Sequence, residues 1–201
     1  MRAWMIRSRL LFFAAVAFGL GGCLGGTSAP TKFYTLAPVA TPLSGTMAMP
    51  GLSLGIGPVT IPAYLDRPQI VTRQGPEELS LAEFDHWAEP LKVGVPRVLA
   101  DNLAALLGTD RVSLFPWAKA PAGQVQVVVD LTCFEGALGK EVALSARWRL
   151  LGSDGREVVV RQAAITEATG GAGYDVLVVA MSRALGTLSR DVAAAVRDLP
   201  K

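Results

Sequence analysis

Three successive runs of alternating apolar and polar residues fill much of the C-terminal half of the chain. They cover Gln124 to Glu135, Glu141 to Leu151, and Glu157 to Ile165. A period of two places neighbouring side chains on opposite faces of a strand, so each run is predicted to be a β-strand. The segments between them, 136–140 and 152–155, contain glycines that suit tight hairpins. The pattern predicts a three-stranded antiparallel meander.

Each run also predicts which side chains are buried. In the middle run, one face is apolar and the other polar: Val142, Leu144, Ala146, Trp148 and Leu150 against Glu141, Ser145, Arg147 and Arg149. In the first run, alternate residues share one face of the predicted strand: Val125, Val127, Val129, Leu131 and Cys133. A free cysteine on an apolar face behaves as a small hydrophobe, so Cys133 is expected in the core.

The rest of the chain adds shorter strands and two helices. Further strands are predicted at 32–36, 52–61, 69–73, 79–84 and 111–115. The segment 87–90 is predicted to open one helix, in which Pro96 must mark either a kink or the true start. Tyr174 to Leu199 carries apolar residues at spacings of three and four and is predicted to be the second helix. The order predicts an α/β single-domain sandwich with a mixed sheet and two main helices.

The N-terminal segment resembles a bacterial lipoprotein signal. Arg2, Arg7 and Arg9 precede the apolar run from Leu10 to Leu20. Its eleven residues are too few to span a bilayer, which takes about 18 to 20, but they match the apolar region of an export signal. The following residues, Leu20-Gly21-Gly22-Cys23, resemble a lipobox. Residues 1–22 are therefore predicted to be a signal peptide and Cys23 the lipidated residue; an ordinary cleaved signal and an uncleaved anchor are the alternatives.

Removal of this signal changes the charge of the chain. Removing 22 of the 201 residues leaves a mature chain of 179. The number of basic residues falls from 19 to 16, while the 17 acidic residues stay, so the formal net charge changes from +2 to −1. A nucleic-acid partner is not expected, because such a partner requires clustered basic residues. Residues 23–31 form the acylated cysteine and a flexible tether, and residues 32–201 form the domain. The tether after Cys23 reaches about 28 Å at most.

The sequence lacks a recognisable catalytic or metal-binding set. His86 is the only histidine, and no GxSxG segment is present to supply a nucleophile. Neither His86 nor Cys133 has a partner at metal-ligand spacing. The glycines of 170–173 are not followed by the residues of a phosphate-binding loop. The chain is therefore predicted not to be an enzyme and to use no metal or cofactor, with a hydrolase built on His86 as the alternative.

Two segments resemble the ABC-type transport auxiliary lipoprotein family. They are 54–73, LGIGPVTIPAYLDRPQIVTR, and 84–90, FDHWAEP, with 61–69 as the most specific part. Phe33-Tyr34-Thr35-Leu36, shortly after the lipidated cysteine, and the closing amphipathic helix fit the same family. The resemblance covers nearly all of residues 23–201. It implies an anticodon-binding-like three-layer α/β fold.

The same resemblance implies a periplasm-facing lipoprotein of a lipid transport system. Its partners would be an MCE-type protein and an ABC transporter permease and ATPase complex, and acyl chains such as palmitate would hold it in the membrane. Leu24 after the lipidated cysteine is compatible with outer-membrane sorting, although the inner membrane and a homo-oligomer both stay open.

Within the motif, Tyr64, Leu65, Asp66 and Arg67 are predicted to form a docking turn for the partner. The alternative is that Asp66 and Arg67 pair with each other while Tyr64 and Leu65 pack. A lipid carrier with an apolar groove between the last helix and the sheet is an alternative function.

Overall fold

The strands lie where the alternation predicts them. A computed structural model describes residues 29–41, 48–117 and 124–199. In chain order the strands are β1 (Lys32–Tyr34), β2 (Ser53–Thr60), β3 (Gln69–Arg73), β4 (Leu79–Trp87), β5 (Val112–Leu114), β6 (Gln124–Gly136), β7 (Glu141–Leu151) and β8 (Glu157–Ala168). The helices are α1 (Leu91–Leu107) and α2 (Tyr174–Arg197), and Ala63–Leu65 form one turn of 3₁₀ helix. The predicted mixed α/β architecture is confirmed.

The long strand β6 organises the eight-stranded sheet. One of its edges pairs antiparallel with β7, which pairs antiparallel with β8, as the meander requires. Its other edge is shared by two parallel neighbours, β2 over most of the strand and β3 at Thr72 and Gly136. Outside these, β5 joins β2 in parallel, β4 joins β3 antiparallel, and β1 joins β4 in parallel. The 13 residues of β6 make this branching possible, because two separate strands fit along one edge.

A β-bulge in β6 corrects the prediction for Cys133. Leu131 pairs with Ala146 and Cys133 with Ser145, so that Thr132 is an extra residue without a partner in β7. An extra residue reverses the facing of every side chain after it. Phe134 consequently enters the core, and Cys133 is half-buried on the opposite face. Burial raises the pKa of the Cys133 thiol to about 11, which keeps it protonated and unreactive at neutral pH.

The start of α1 also differs from the prediction. Trp87, the first residue of the segment expected to open the helix, is the last residue of β4, and residues 88–90 lead from it into α1. Pro90 is the residue before the first helical position, and its fixed φ suits that place. The helix then includes Pro96, so the interpretation of Pro96 as the true start is wrong. The missing N–H of Pro96 leaves out only one bond in a helix of 17 residues.

The two helices pack on each other and on the sheet. Helix α1 lies against β2 and β5, while α2 lies against β6, β7 and β8. The apolar stripe of α2 is enclosed in the core, where Leu177, Leu185 and Leu188 have no exposed surface. The anticodon-binding-like three-layer arrangement is not confirmed.

The segment of residues 35–41, the N-terminal strap, crosses both helices. The backbone N–H groups of Val39 and Ala40 donate to the Asn102 side-chain oxygen on α1, each at 3.0 Å. The N–H of Ala37 donates to the Ser182 hydroxyl on α2 at 3.2 Å. Asn102 is completely buried, so these bonds satisfy polar groups that water does not reach. The strap therefore fixes the start of the domain to its helical layer.

Candidate functional site

The turn between β2 and β3, residues 62–68, is the part of the family-like motif that lies at the surface. Proline bounds it at both ends and fixes φ there. The N–H of Leu65 donates to the Pro62 carbonyl at 2.9 Å and the N–H of Asp66 to the Ala63 carbonyl at 3.2 Å, forming the 3₁₀ turn. We call these seven residues the proline turn.

Two of its side chains hold the proline turn on the domain. Leu65 is only 2% exposed and belongs to the main core. The Tyr64 hydroxyl donates to Glu135 Oε2 at 2.9 Å, which connects the turn to β6. These contacts agree with the alternative in which Tyr64 and Leu65 pack, and they leave neither side chain free at the surface.

Glu135 is the centre of a polar cluster beneath the turn. Its side chain is 2% exposed, and Arg73 on β3 donates to Oε1 from Nε at 2.9 Å and from Nη2 at 2.6 Å. The backbone N–H of Phe134 donates to Oε2 at 3.0 Å. A buried carboxylate is tolerated when donors surround it in this way.

The hydrogen bonds determine the charge state of the cluster. Burial by itself raises the pKa of Glu135, but donors on Arg73, Tyr64 and Phe134 outweigh it and hold that pKa below its usual range. Burial raises the pKa of Tyr64 to about 12, and its bond to Glu135 acts in the same direction. Glu135 is thus ionised and Tyr64 neutral at pH 7, so the cluster acts as a fixed support rather than as an acid–base pair.

The next two residues have different surroundings. Asp66 is exposed and accepts from Lys92 Nζ at 3.1 Å, so the alternative in which Asp66 pairs with Arg67 does not hold. Arg67 forms no salt bridge or side-chain hydrogen bond with the described residues. Its Nε is buried without a partner, although the residue as a whole is only partly buried.

A cavity of about 290 Å³ lies beside Asp66 and Arg67. Its walls come from the proline turn and from the junction of β4 and α1: Asp66, Arg67, Pro68, Trp87, Ala88, Glu89, Pro90 and Lys92. The N–H of Trp87 donates to the Pro68 carbonyl at 2.7 Å and so joins the two segments. We call this space the turn cavity. It brings together the two motifs that the sequence singles out, DRP and WAEP.

The far wall of the turn cavity is connected to the N-terminal strap. Glu89 accepts a short hydrogen bond from Arg97 Nη2 on α1. The same nitrogen donates to the Leu36 carbonyl of the strap at 3.1 Å. The strap that fixes the start of the domain thus also contacts a residue that orients a wall of the cavity.

The other candidate residues lie apart from this site. His86, on β4, packs edge-to-face against Phe33 with ring centroids 6.0 Å apart. Within the described parts of the chain, no three His, Cys, Asp or Glu residues are grouped to hold a metal ion. Cys23 lies outside the described residues.

Glu135 and Arg73 were not singled out from the sequence as site residues. Arg73 is the last residue of the family-like segment, and Glu135 is a carboxylate near the end of a mostly apolar strand. A charged residue among the apolar positions of a strand indicates a buried ion pair, since Glu is almost never fully buried unless it is paired. Its partners lie 62 and 71 residues away in the sequence, so the pairing itself required the fold.

The fold and the site define a mixed α/β domain whose distinctive residues lie at a surface turn and its cavity. Residues 34–193 match the family described as ABC-type transport auxiliary lipoprotein component. The chain belongs to this family, and it is an auxiliary lipoprotein of a transport system.

Named relatives agree with this assignment. The intermembrane transport lipoprotein PqiC of Escherichia coli strain K12 is 24% identical over 202 residues, with 100% of both chains covered. PqiC of Shigella flexneri gives the same values. As a family lipoprotein, the chain is membrane-associated. Among the residues that the structure describes, no helix is long and apolar enough to cross a membrane.

Two crystal structures share the fold. An uncharacterised protein has a TM-score of 0.69 and 20% identity, with 84% of this chain and 99% of that chain covered. A protein from Xanthomonas campestris has a TM-score of 0.68 and 18% identity, with 83% of this chain and 94% of that chain covered.

Proposed function

We propose that the protein is a non-enzymatic docking component of an ABC and MCE-type lipid transport system. It acts at the periplasmic face of the outer membrane, after residues 1–22 have been removed and Cys23 has been acylated. Family membership supports the transport role, and the PqiC relatives are named intermembrane transport lipoproteins. The partners are an MCE-type protein and, through it, the ABC permease and ATPase.

The proline turn is the proposed docking surface. Of the four residues expected there, two position the turn and two contact the partner. Leu65 and Tyr64 position the turn through the core and through Glu135. Asp66 and Arg67 lie at the rim of the turn cavity and contact the partner. The observation that carries this proposal is the contrast within four consecutive residues. Two side chains fix the backbone, and the next two line a cavity, where Asp66 pairs with Lys92 and Arg67 has no carboxylate partner among the described residues.

Co-isolation from cells tests the docking surface. The acylated protein is purified in mild detergent from cells that also produce the MCE-type protein, and the amount of MCE-type protein recovered is measured. We expect recovery with the wild type and loss with Arg67→Glu, because the substitution reverses the charge at the rim. Arg156→Glu is the matched control, since Arg156 lies in the β7–β8 hairpin with 86% of its side chain exposed.

The Tyr64 variants separate positioning from contact. Tyr64→Ala removes both the ring and the hydroxyl and is expected to reduce recovery of the MCE-type protein. Tyr64→Phe keeps the ring that packs beside the core and should reduce that recovery less. Normal recovery with both Tyr64→Ala and Arg67→Glu would contradict docking through the proline turn.

A lipid carrier is the second candidate, and the packing of α2 weighs against it. The stripe that would line a groove is enclosed, with Leu185 and Leu188 at 0% exposure and Val192 at 1%. Cavities of about 340, 290 and 190 Å³ lie on other surfaces. Native mass spectrometry after mild extraction distinguishes the two: phospholipid bound stoichiometrically to the protein alone would favour a carrier.

A further inference from the structure

Arg67 is the one cation lining the turn cavity that has no carboxylate partner among the described residues. Lys92, the other cation of the lining, pairs with Asp66, and Arg97 behind Glu89 pairs with that carboxylate and more distantly with Asp101. The buried Nε of Arg67 is out of reach of a ligand, but its two Nη nitrogens are accessible and have no partner among the described residues. A carboxylate is the acceptor that suits this planar guanidinium best.

The start of α1 adds little to this preference. The first turn contains no acidic residue, but the Glu89 carboxylate lies over it, where Oε1 would be 3.2 Å from a Cβ on Gly94. The partial positive charge of the helix N-terminus is therefore already partly compensated, and Arg67 is the group that selects an anionic ligand. Pro90 and Lys92 also line the turn cavity, so this end of the helix and Arg67 border the same space.

The remaining walls restrict the charge and shape of the ligand. Asp66 and Glu89 line the cavity as well, and their carboxylates disfavour a ligand with more than one negative charge. Pro68, Pro90 and the largely buried ring of Trp87 give the cavity apolar surface. A volume of about 290 Å³ suits one or two amino-acid side chains better than a phospholipid with its acyl chains.

We infer that the turn cavity binds a single carboxylate on an acidic peptide segment of the partner protein, with Arg67 as its ion-pair partner. The guanidinium contacts the carboxylate, the N-terminus of α1 lies beside it, and residues flanking the carboxylate pack on Pro68 and Trp87. This inference rests on the proposed docking function and adds the chemistry of the partner to it.

Peptide binding tests the inference independently of the cellular partner. The probe is a library of acetylated hexapeptide amides whose central residue is Asp, Glu, Asn or Gln, applied to the full-length protein in detergent. We expect the acidic peptides to bind at least about tenfold more tightly than the matching amides, a difference that Arg67→Gln removes. Arg67→Lys should keep part of the preference, and Arg156→Gln should keep all of it. Thermal unfolding of each variant shows that it is folded.

Three results would overturn the inference. One is equal binding of acidic and amide peptides to the wild type, and another is an acidic preference that persists in Arg67→Gln. The third is Arg67-dependent binding to phosphatidylglycerol vesicles without peptide binding, which would assign the site to a lipid phosphate. If acidic peptides bind but the MCE-type protein is not recovered from cells, the docking function fails and the carboxylate site stands. If the MCE-type protein is recovered from cells but acidic peptides bind no more tightly than amides, the docking function stands and the carboxylate site fails.

Discussion

Residue by residue, the proline turn depends on a carboxylate that the sequence motif does not contain. Glu135 lies on β6 and receives hydrogen bonds from Tyr64, Arg73 and the backbone of Phe134. The conspicuous aromatic residue of the motif therefore points inward to this support. Arg67, three residues after Tyr64, has no partner among the described residues and is the side chain available for binding.

Glu135→Gln is expected to lower the free energy of unfolding by about 2 kcal/mol at pH 7, because it leaves Arg73 without its charge partner. The folded-state pKa of Glu135 is lowered, so its contribution is present above the unfolded pKa and is lost as the pH falls through the folded one. The difference between wild type and variant should therefore stay constant from pH 7 to about 5 and narrow as the pH falls below about 4.5, the ordinary pKa of a glutamate. Urea unfolding at several pH values measures this.

Glu157→Gln is the control for that substitution. Glu157 also pairs with an arginine, Arg149, at 2.7 Å, but its side chain is 46% exposed. Exposed pairs contribute about 0–1 kcal/mol. Equal destabilisation by Glu135→Gln and Glu157→Gln would show that the buried cluster has no special role.

At the level of elements, the N-terminal strap connects strand β1 to the helical layer. It crosses both helices, and its carbonyl at Leu36 accepts from Arg97, which also holds Glu89 at the turn cavity.

Asn102→Ala is expected to destabilise the domain by about 3 kcal/mol, since it leaves the buried N–H of Ala40 and the N–H of Val39 without an acceptor. Hydrogen exchange of these two amides should accelerate more than exchange in β7. Asp101→Ala, at a half-exposed neighbouring position, should change stability by less than about 0.5 kcal/mol. Unchanged exchange in the strap of Asn102→Ala would show that these bonds do not hold it.

Elements whose pattern is local were predictable from the sequence, and those determined by distant contacts were not. The alternation in β7 predicted both its bounds and its buried face. In β6 the same reasoning failed after Leu131, because a bulge leaves no mark on the alternation until the partner strand is known. The start of α1 was misplaced because β4 continues to Trp87, where pairing with Tyr34 of β1 extends the strand.

The candidate site shows the same division. The sequence pointed to Tyr64, Leu65, Asp66 and Arg67 as a turn between prolines, and the structure places all four there. It did not indicate that Lys92 pairs with Asp66 or that Trp87 and Glu89 form the opposite wall. Those contacts join segments that are 19 to 26 residues apart, and local propensity contains no information about them.

For the whole molecule, the proposed anchor predicts a specific chemical form of the mature protein. Mass spectrometry of the protein from cell membranes should show an N-terminus at Cys23, increased in mass by acyl chains, and labelling with a palmitate analogue. Cys23→Ser should remove the label, because the thiol is the point of attachment. An unacylated N-terminus at another residue would contradict the lipoprotein assignment of residues 1–22.

Photocrosslinking in living cells tests whether the transport partner docks at the turn cavity. A photoreactive amino acid replaces Lys92, whose side chain is 59% exposed at the cavity, or Arg156 in the distant hairpin as the control. We expect a crosslink between position 92 and the MCE-type protein and none from position 156. No crosslink at position 92, or equal crosslinking at both positions, would show that the partner does not dock there.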